Sequence, residues 1–108
     1  MERNFTASDV VRLFRAIYNH GFRHVPQPHL RIYIGDSGNE EACGMYWPDE
    51  NLIEIWLAEH EELFEVFDTL VHELCHAEQE KRGQDLLHGR RFSRRIKRQK
   101  QKIRKVIK

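Results

Sequence analysis

Five consecutive residues, His72-Glu73-Leu74-Cys75-His76, hold the pattern in this chain most able to do chemistry. Residues four apart on an α-helix differ by about 40° in direction and about 6 Å in height, so both imidazoles reach one cation. Two such nitrogens at about 2.0–2.1 Å leave a tetrahedral Zn²⁺ with room for a third ligand and a water. Glu73, one step round the helix from His72, lies beside that water and off the metal, where a general base is wanted. Val66, Phe67, Leu70, Val71 and Leu74 recur at helical spacing on the same segment, so the metal face is built against a core.

The third ligand has to come from elsewhere. His88 lies twelve residues beyond His76, past Gly83, which can break the helix and turn the chain back. Glu78 and Glu80 are nearer but sit on other helix faces or along the same rod, and Asp85 is available from the turn. His88 is the preferred third ligand, and one Zn²⁺ is the expected cofactor.

The HELCH string followed by His88-Gly89-Arg90-Arg91-Phe92 resembles the SprT-like (Spartan-type) zinc metallopeptidases. Upstream, Leu13-Phe14, Tyr18-Asn19, Phe22 and Val25-Pro26-Gln27-Pro28 resemble the start of that domain. Cys43-Gly44-Met45-Tyr46-Trp47 followed by Asn51-Leu52-Ile53-Glu54-Ile55 resembles its hairpin, so the likeness spans about residues 8–98. What the resemblance implies is a zinc endopeptidase with His72, His76 and His88 as ligands, Glu73 as base and often DNA-stimulated activity. Its expected substrates are DNA-bound or DNA-crosslinked proteins. Many members carry a Cys-rich zinc ribbon after the catalytic domain, and none occurs in these residues.

Two alternatives remain at this level. HExxH is shared by many zincins, including the ImmA/IrrE-like repressor-cleaving kind, although HGxxF and the basic segment after it favour the SprT-like assignment. A non-catalytic DNA-binding protein with a structural zinc is the other. A structural site normally closes with four protein ligands, and only three are convincing.

At 108 residues and 40% hydrophobic content, the chain has material for one core, and residues 1–108 read as a single domain. No apolar run approaches the length of a membrane span, and Met1-Glu2-Arg3-Asn4 does not start a signal peptide. A monomeric, cytoplasmic, DNA-associated protein with no membrane partner is expected. Cys43 and Cys75 make no CxxC pair, and Cys75 reads as a small buried thiol.

Charge divides the chain sharply. Residues 90–108 hold 11 of the 18 Lys and Arg and none of the 17 Asp and Glu, leaving an acidic body with a basic arm. The basic residues are Arg90, Arg91, Arg94, Arg95, Lys97, Arg98, Lys100, Lys102, Arg104, Lys105 and Lys108. Phe92, Ile96, Gln99, Ile103, Val106 and Ile107 recur at helical spacing, so residues 90–108 read as an amphipathic helix whose apolar side docks on the domain. Its basic side suits DNA through counterion release at the phosphates. No aromatic follows Phe92, so binding there is expected to be electrostatic and sequence-independent. A helix drawn to the acidic body, or one lying on an anionic membrane or partner, uses the same pattern.

The elements that position these groups follow from periodicity and punctuation. Thr6 or Ser8 caps a first helix with Val10, Val11, Leu13, Phe14, Ile17 and Tyr18 on one face, ended by Gly21. Pro26 and Pro28 keep the chain extended into a strand at 30–34, with a loop at 35–39. Gly44–Trp47 forms a second strand, 48–51 a turn, and 52–57 a third strand with Ile53, Ile55 and Leu57 on one side. Residues 60–82 form the metal-binding helix. The expected fold is α+β: a small zincin-like domain whose short, mostly antiparallel sheet packs on the HExxH helix, with the N-terminal and basic C-terminal helices around it. A peptide substrate would add to the sheet edge at 42–46, where Gly44 permits close backbone approach. Tyr46, Tyr33 and His60 are the candidates for stabilising an oxyanion.

Overall fold

The computed structural model describes residues 4–36, 38 and 43–107, which form three helices and three strands. Helix α1 (Ala7–Gly21) is capped by Thr6 and not by Ser8. The Thr6 hydroxyl accepts from the Asp9 N–H at 3.2 Å, and the Asp9 carboxylate accepts from the Thr6 N–H at 2.9 Å. Val10, Phe14 and Ile17 face the core, as the 3.6-residue period requires. The Tyr18 hydroxyl then donates to the Val25 carbonyl at 2.5 Å and fixes the path of the proline segment.

Strands β1 (His29–Tyr33), β2 (Gly44–Trp47) and β3 (Leu52–Trp56) make one sheet in the order β1-β3-β2. The β2–β3 hairpin is antiparallel, turning through 48–51 with Asn51 in the left-handed region at φ 48°. The β1–β3 pair is parallel, from His29↔Leu52 to Tyr33↔Trp56. A mostly antiparallel sheet is therefore corrected to a mixed one. The chain leaving β1 passes the site of β3 and starts β2 on the far edge, so β3 enters between them running the same way as β1.

The boundaries shift for physical reasons. Ile34 falls outside β1 and is 68% exposed. β3 stops at Trp56 because the chain tightens into a 3₁₀ turn at Leu57–Glu59, which still buries Leu57. With neighbours on both sides, β3 buries residues 52–55, including Glu54. That carboxylate accepts from the Tyr33 hydroxyl and from Trp47 Nε1, each at 2.6 Å, on the sheet face away from the helices. Of the 35–39 loop, Ser37 and Asn39 lie outside the described residues.

Helix α2 (Leu63–Lys81) is shorter than the expected 60–82 and touches α1, β2, β3 and helix α3 (Arg90–Arg104). Its Val66, Leu70, Val71 and Leu74 are fully buried. Its Glu78 side chain, 3% exposed, accepts from Arg95 Nε and Nη2 at 2.8 Å and faces His24 Nε2 at 2.5 Å. On α3, Phe92, Gln99 and Ile103 are buried, and Gln99 Nε2 donates to the Gly21 carbonyl at 2.6 Å. Val106 does not join the apolar stripe, being 56% exposed, because α3 ends at Arg104. Lys100 Nζ and Arg104 Nη2 each lie 3.2 Å from Asp68 Oδ1. Arg95, Lys100 and Arg104 thus turn toward the body and away from the outer basic face. Lys108 lies outside the described residues, and among the described residues no helix is long and apolar enough to cross a membrane.

Two stability outcomes follow. Ile103→Ala is expected to cost about 3 kcal/mol in urea unfolding, whereas Val106→Ala changes stability by less than about 0.5 kcal/mol. The Glu78 carboxyl is held below its ordinary 4.5, against the effect of burial, by its bonds to Arg95 and His24 and by the charges of Arg95 and Arg82. Its contribution is present above that ordinary value and is lost as pH falls toward the lower folded one. Glu78→Gln is expected to flatten the acid limb of the stability–pH curve while lowering stability at neutral pH.

Candidate metal centre

His72 and His76 project from the middle of α2, and the chain brings His88 back to them. Gly83 makes this return at φ +70°, where its N–H bonds to the Glu80 carbonyl at 3.0 Å and the Gln84 N–H to the Gln79 carbonyl at 2.9 Å. This Schellman closure ends the helix and reverses the backbone. Gln79 then holds the returning loop, its Nε2 donating to the Leu87 carbonyl at 3.0 Å. His88 Nε2 arrives 3.2 Å from His72 Nε2 and 2.9 Å from His76 Nε2. Glu78 is engaged elsewhere, and neither Glu80 nor Asp85 joins the cluster.

The donors suit a metal ion. Nitrogens at about 2.05 Å from a tetrahedral ion are about 3.3 Å apart, close to the separations here. The Gln79 Oε1 lies 2.7 Å from His76 Nδ1 and can only accept, so Nδ1 carries the proton and Nε2 keeps its lone pair. Burial, with His76 and His88 alongside, pushes the His72 pKa down to about 4, and burial also lowers that of His76. Both imidazoles are therefore neutral and able to ligate near pH 7. Phe92 backs the cluster, stacked on His76 at 4.4 Å between ring centroids and edge-on to His72 at 5.1 Å. Three histidines, two from one helix and one from a returning loop, lie close enough to hold one metal ion.

Glu73 sits beside them, 7% exposed. Burial raises its pKa to about 7, opposed by a hydrogen bond from the Tyr46 backbone N–H. The three histidines and Glu73 line a groove of about 660 Å³ whose opposite wall is Cys43, Gly44, Met45 and Tyr46. In the β2–β3 ladder, Trp56 N–H bonds to the Cys43 carbonyl, so by antiparallel alternation the main-chain groups of Gly44 and Tyr46 face away from β3. β2 is thus an open edge beside the cluster, as expected, although Ala42 lies outside the described residues.

Gly44 also has a packing reason that its sequence context does not show. A Cβ there would lie 2.6 Å from Thr69 Cγ2, so the glycine lets β2 press against α2. Two of the oxyanion candidates are also displaced. Tyr33 bonds to Glu54 on the far sheet face, and His60 is held between the Trp56 carbonyl and the Thr69 hydroxyl, each at 2.8 Å. Tyr46 lines the groove, but its hydroxyl donates to Asn51 Oδ1 at 3.1 Å. Lys100, expected on the outer basic face, instead lines the groove. Cys75 is a free thiol, 1% exposed and pushed up to about 12 by burial, and so unreactive.

Sequence reasoning missed Gln79, Phe92 as backing for the imidazoles, and the groove position of Lys100. Gln79 was detectable as the residue three beyond His76, on the same helix face. The remaining basic residues of α3 and its end, Arg90, Arg91, Arg94, Lys97, Arg98, Lys102 and Lys105, are exposed. No protein-family model, curated protein or solved structure matches this chain.

Competition with a chromophoric chelator checks the ligand set. His88→Ala is expected to release the metal, with Glu80→Ala and Asp85→Ala near the parent. Gln79→Ala, which frees both His76 and the loop, is expected to weaken metal affinity about 10–100-fold.

Proposed function

We propose that this chain is a zinc-dependent endopeptidase of SprT-like type, acting on DNA-bound or DNA-crosslinked proteins. The observation that carries this reading is the meeting of three imidazole Nε2 atoms, beside a buried Glu73, along a groove walled by an open strand edge. A three-histidine set with an open fourth position is the donor arrangement of catalytic rather than structural zinc. Bound there, Zn²⁺ polarises a carbonyl and lowers the pKa of its water to about 7.

The chain's own groups do the rest. An extended peptide lies along β2 and pairs with the outward main-chain groups of Gly44 and with the Tyr46 carbonyl, because the Tyr46 N–H is already given to Glu73. Backbone capture of this kind imposes little side-chain selectivity, which suits substrates defined by location. Glu73 accepts the proton of the attacking water and returns it to the leaving amine. Its bond from Tyr46 ties the base to the strand that holds the substrate, so proton acceptor and scissile bond are positioned by one element. Lys100 is the single Lys or Arg lining the groove and is paired there with Asp68, so it would be the cation at hand for charge developing on the attacked carbonyl oxygen. The exposed Arg and Lys of α3 contact DNA phosphates and bring the groove to proteins bound there.

The test is cleavage of a DNA-bound protein by the zinc-loaded chain, with no DNA, single-stranded DNA and duplex DNA compared. Glu73→Gln is expected to keep its zinc and lose at least about 10²-fold in rate. Unchanged cleavage by that variant would sink the reading. Deleting residues 99–108 is a poor test of DNA contact, since it removes the buried Gln99 and Ile103. Replacing the exposed Lys97, Lys102 and Lys105 by Gln keeps the fold, and the salt dependence of duplex binding is expected to become shallower by up to about 0.9 per lost contact.

A further inference from the structure

Behind the histidine cluster lies a second cavity of about 300 Å³, between the end of α2, the returning loop and the first half of α3. Five of its lining residues are arginines: Arg82, Arg91, Arg94, Arg95 and Arg98. The sole carboxylate among its walls, Glu78, is already held bidentately by Arg95 and faced by His24. Arg82 comes within 3.8 Å of that carboxylate, while Arg91, Arg94 and Arg98 have no acidic partner among the described residues. Their spacing of three, four and seven places them on one side of α3, where like charges repel. The start of α3 adds to this positive field, with no side-chain cap on Gly89 and no acidic residue in its first turn.

We propose that this arginine cleft binds a compact phosphate anion of pyrophosphate size, and that its occupancy fixes the loop carrying His88. Guanidinium forks match phosphate oxygens in pairs, and three unpaired forks around one cavity suit an oligophosphate better than a single carboxylate. The link to the histidines is structural. Gln79 and Phe92 line the cleft, and from there Gln79 bonds His76 and the Leu87 carbonyl while Phe92 stacks on His76. Arg82 and Arg91 stand at the two ends of the 83–90 segment, so an anion gripped by both closes that segment on itself. The binding half stands without the peptidase reading. The coupling half rests on His88 as a ligand of that site.

The experiment uses the full chain stripped of metal, so that the probe cannot act by chelation. Pyrophosphate is titrated calorimetrically into the parent, into the Arg91, Arg94 and Arg98 to Gln triple variant, and into an Arg12→Gln, Arg15→Gln control on the exposed side of α1. The parent is expected to bind one pyrophosphate. The triple variant is expected to lose about tenfold or more in affinity for each arginine removed, and the control less than about twofold. Amide exchange across residues 84–89 is expected to slow on addition of pyrophosphate in the parent and not in the triple variant. A short oligonucleotide with and without a 5′-phosphate identifies the source. Competition only by the phosphorylated strand assigns the cleft to a terminal phosphate, and equal competition by both assigns it to the backbone. Equal pyrophosphate affinity in parent and triple variant, or an equal loss in the control, overturns the site. Binding without slowed exchange at 84–89 overturns the coupling. Zinc content of each variant, measured separately, reports on the metal site independently of either result.

Discussion

From Leu70 to Glu78 every residue of helix α2 but His72 is buried, yet four of its residues between 72 and 79 are His or Glu. Everything else in the molecule follows from satisfying that polar face inside a small core. A buried charge without partners costs several kcal/mol, so each group has acquired a specific neighbour. Glu78 takes Arg95 and His24, His76 takes Gln79, and Glu73 takes one backbone N–H from β2. Among the described residues, no buried side-chain nitrogen or oxygen lacks a partner. The three Nε2 atoms are the exception in kind, since they have only one another, and neutral imidazoles satisfy such a contact poorly. A structure that pairs its interior this thoroughly leaves these three imidazoles close enough to hold one metal ion.

The same helix explains why α3 cannot be a detachable basic arm. Arg95 closes the Glu78 cluster, Phe92 backs the imidazoles, and Gln99 bonds the end of α1. Lys100 and Arg104 share Asp68. Residues whose composition suggested a polyanion-binding surface thus divide between structure, groove and surface. Net charge along a sequence does not distinguish these, because it says nothing of which cations meet carboxylates when the helix docks.

The meeting of His72, His76 and His88 was legible because a four-residue spacing on a helix and a glycine-broken return are local facts. The first helix, the second strand and the 48–51 turn were legible for the same reason. The parallel β1–β3 pairing was not, since a sequence shows how far apart two strands are and not which side of a third strand they take. The packing role of Gly44 was not legible, because close approach can be needed by a neighbouring helix as well as by a ligand, and the position of Thr69 is not written in the sequence around the glycine. Gln79 and Lys100 depend on where α2, the loop and α3 meet, which no spacing rule contains.

The sheet order also sets a sequence of events in time. β2 and β3 are joined by four residues and can pair early, whereas β1 must close a loop of more than twenty residues to reach β3. Until it does, the hairpin carries an unpaired strand edge on each side, one of them holding Ile53 and Ile55. In the folded molecule the β1 side is covered and the β2 side stays open beside the histidines. The late arrival of β1 is therefore the step that takes the Ile53–Ile55 edge out of reach of other copies, leaving the outer sides of β1 and β2 as the two edges of the sheet.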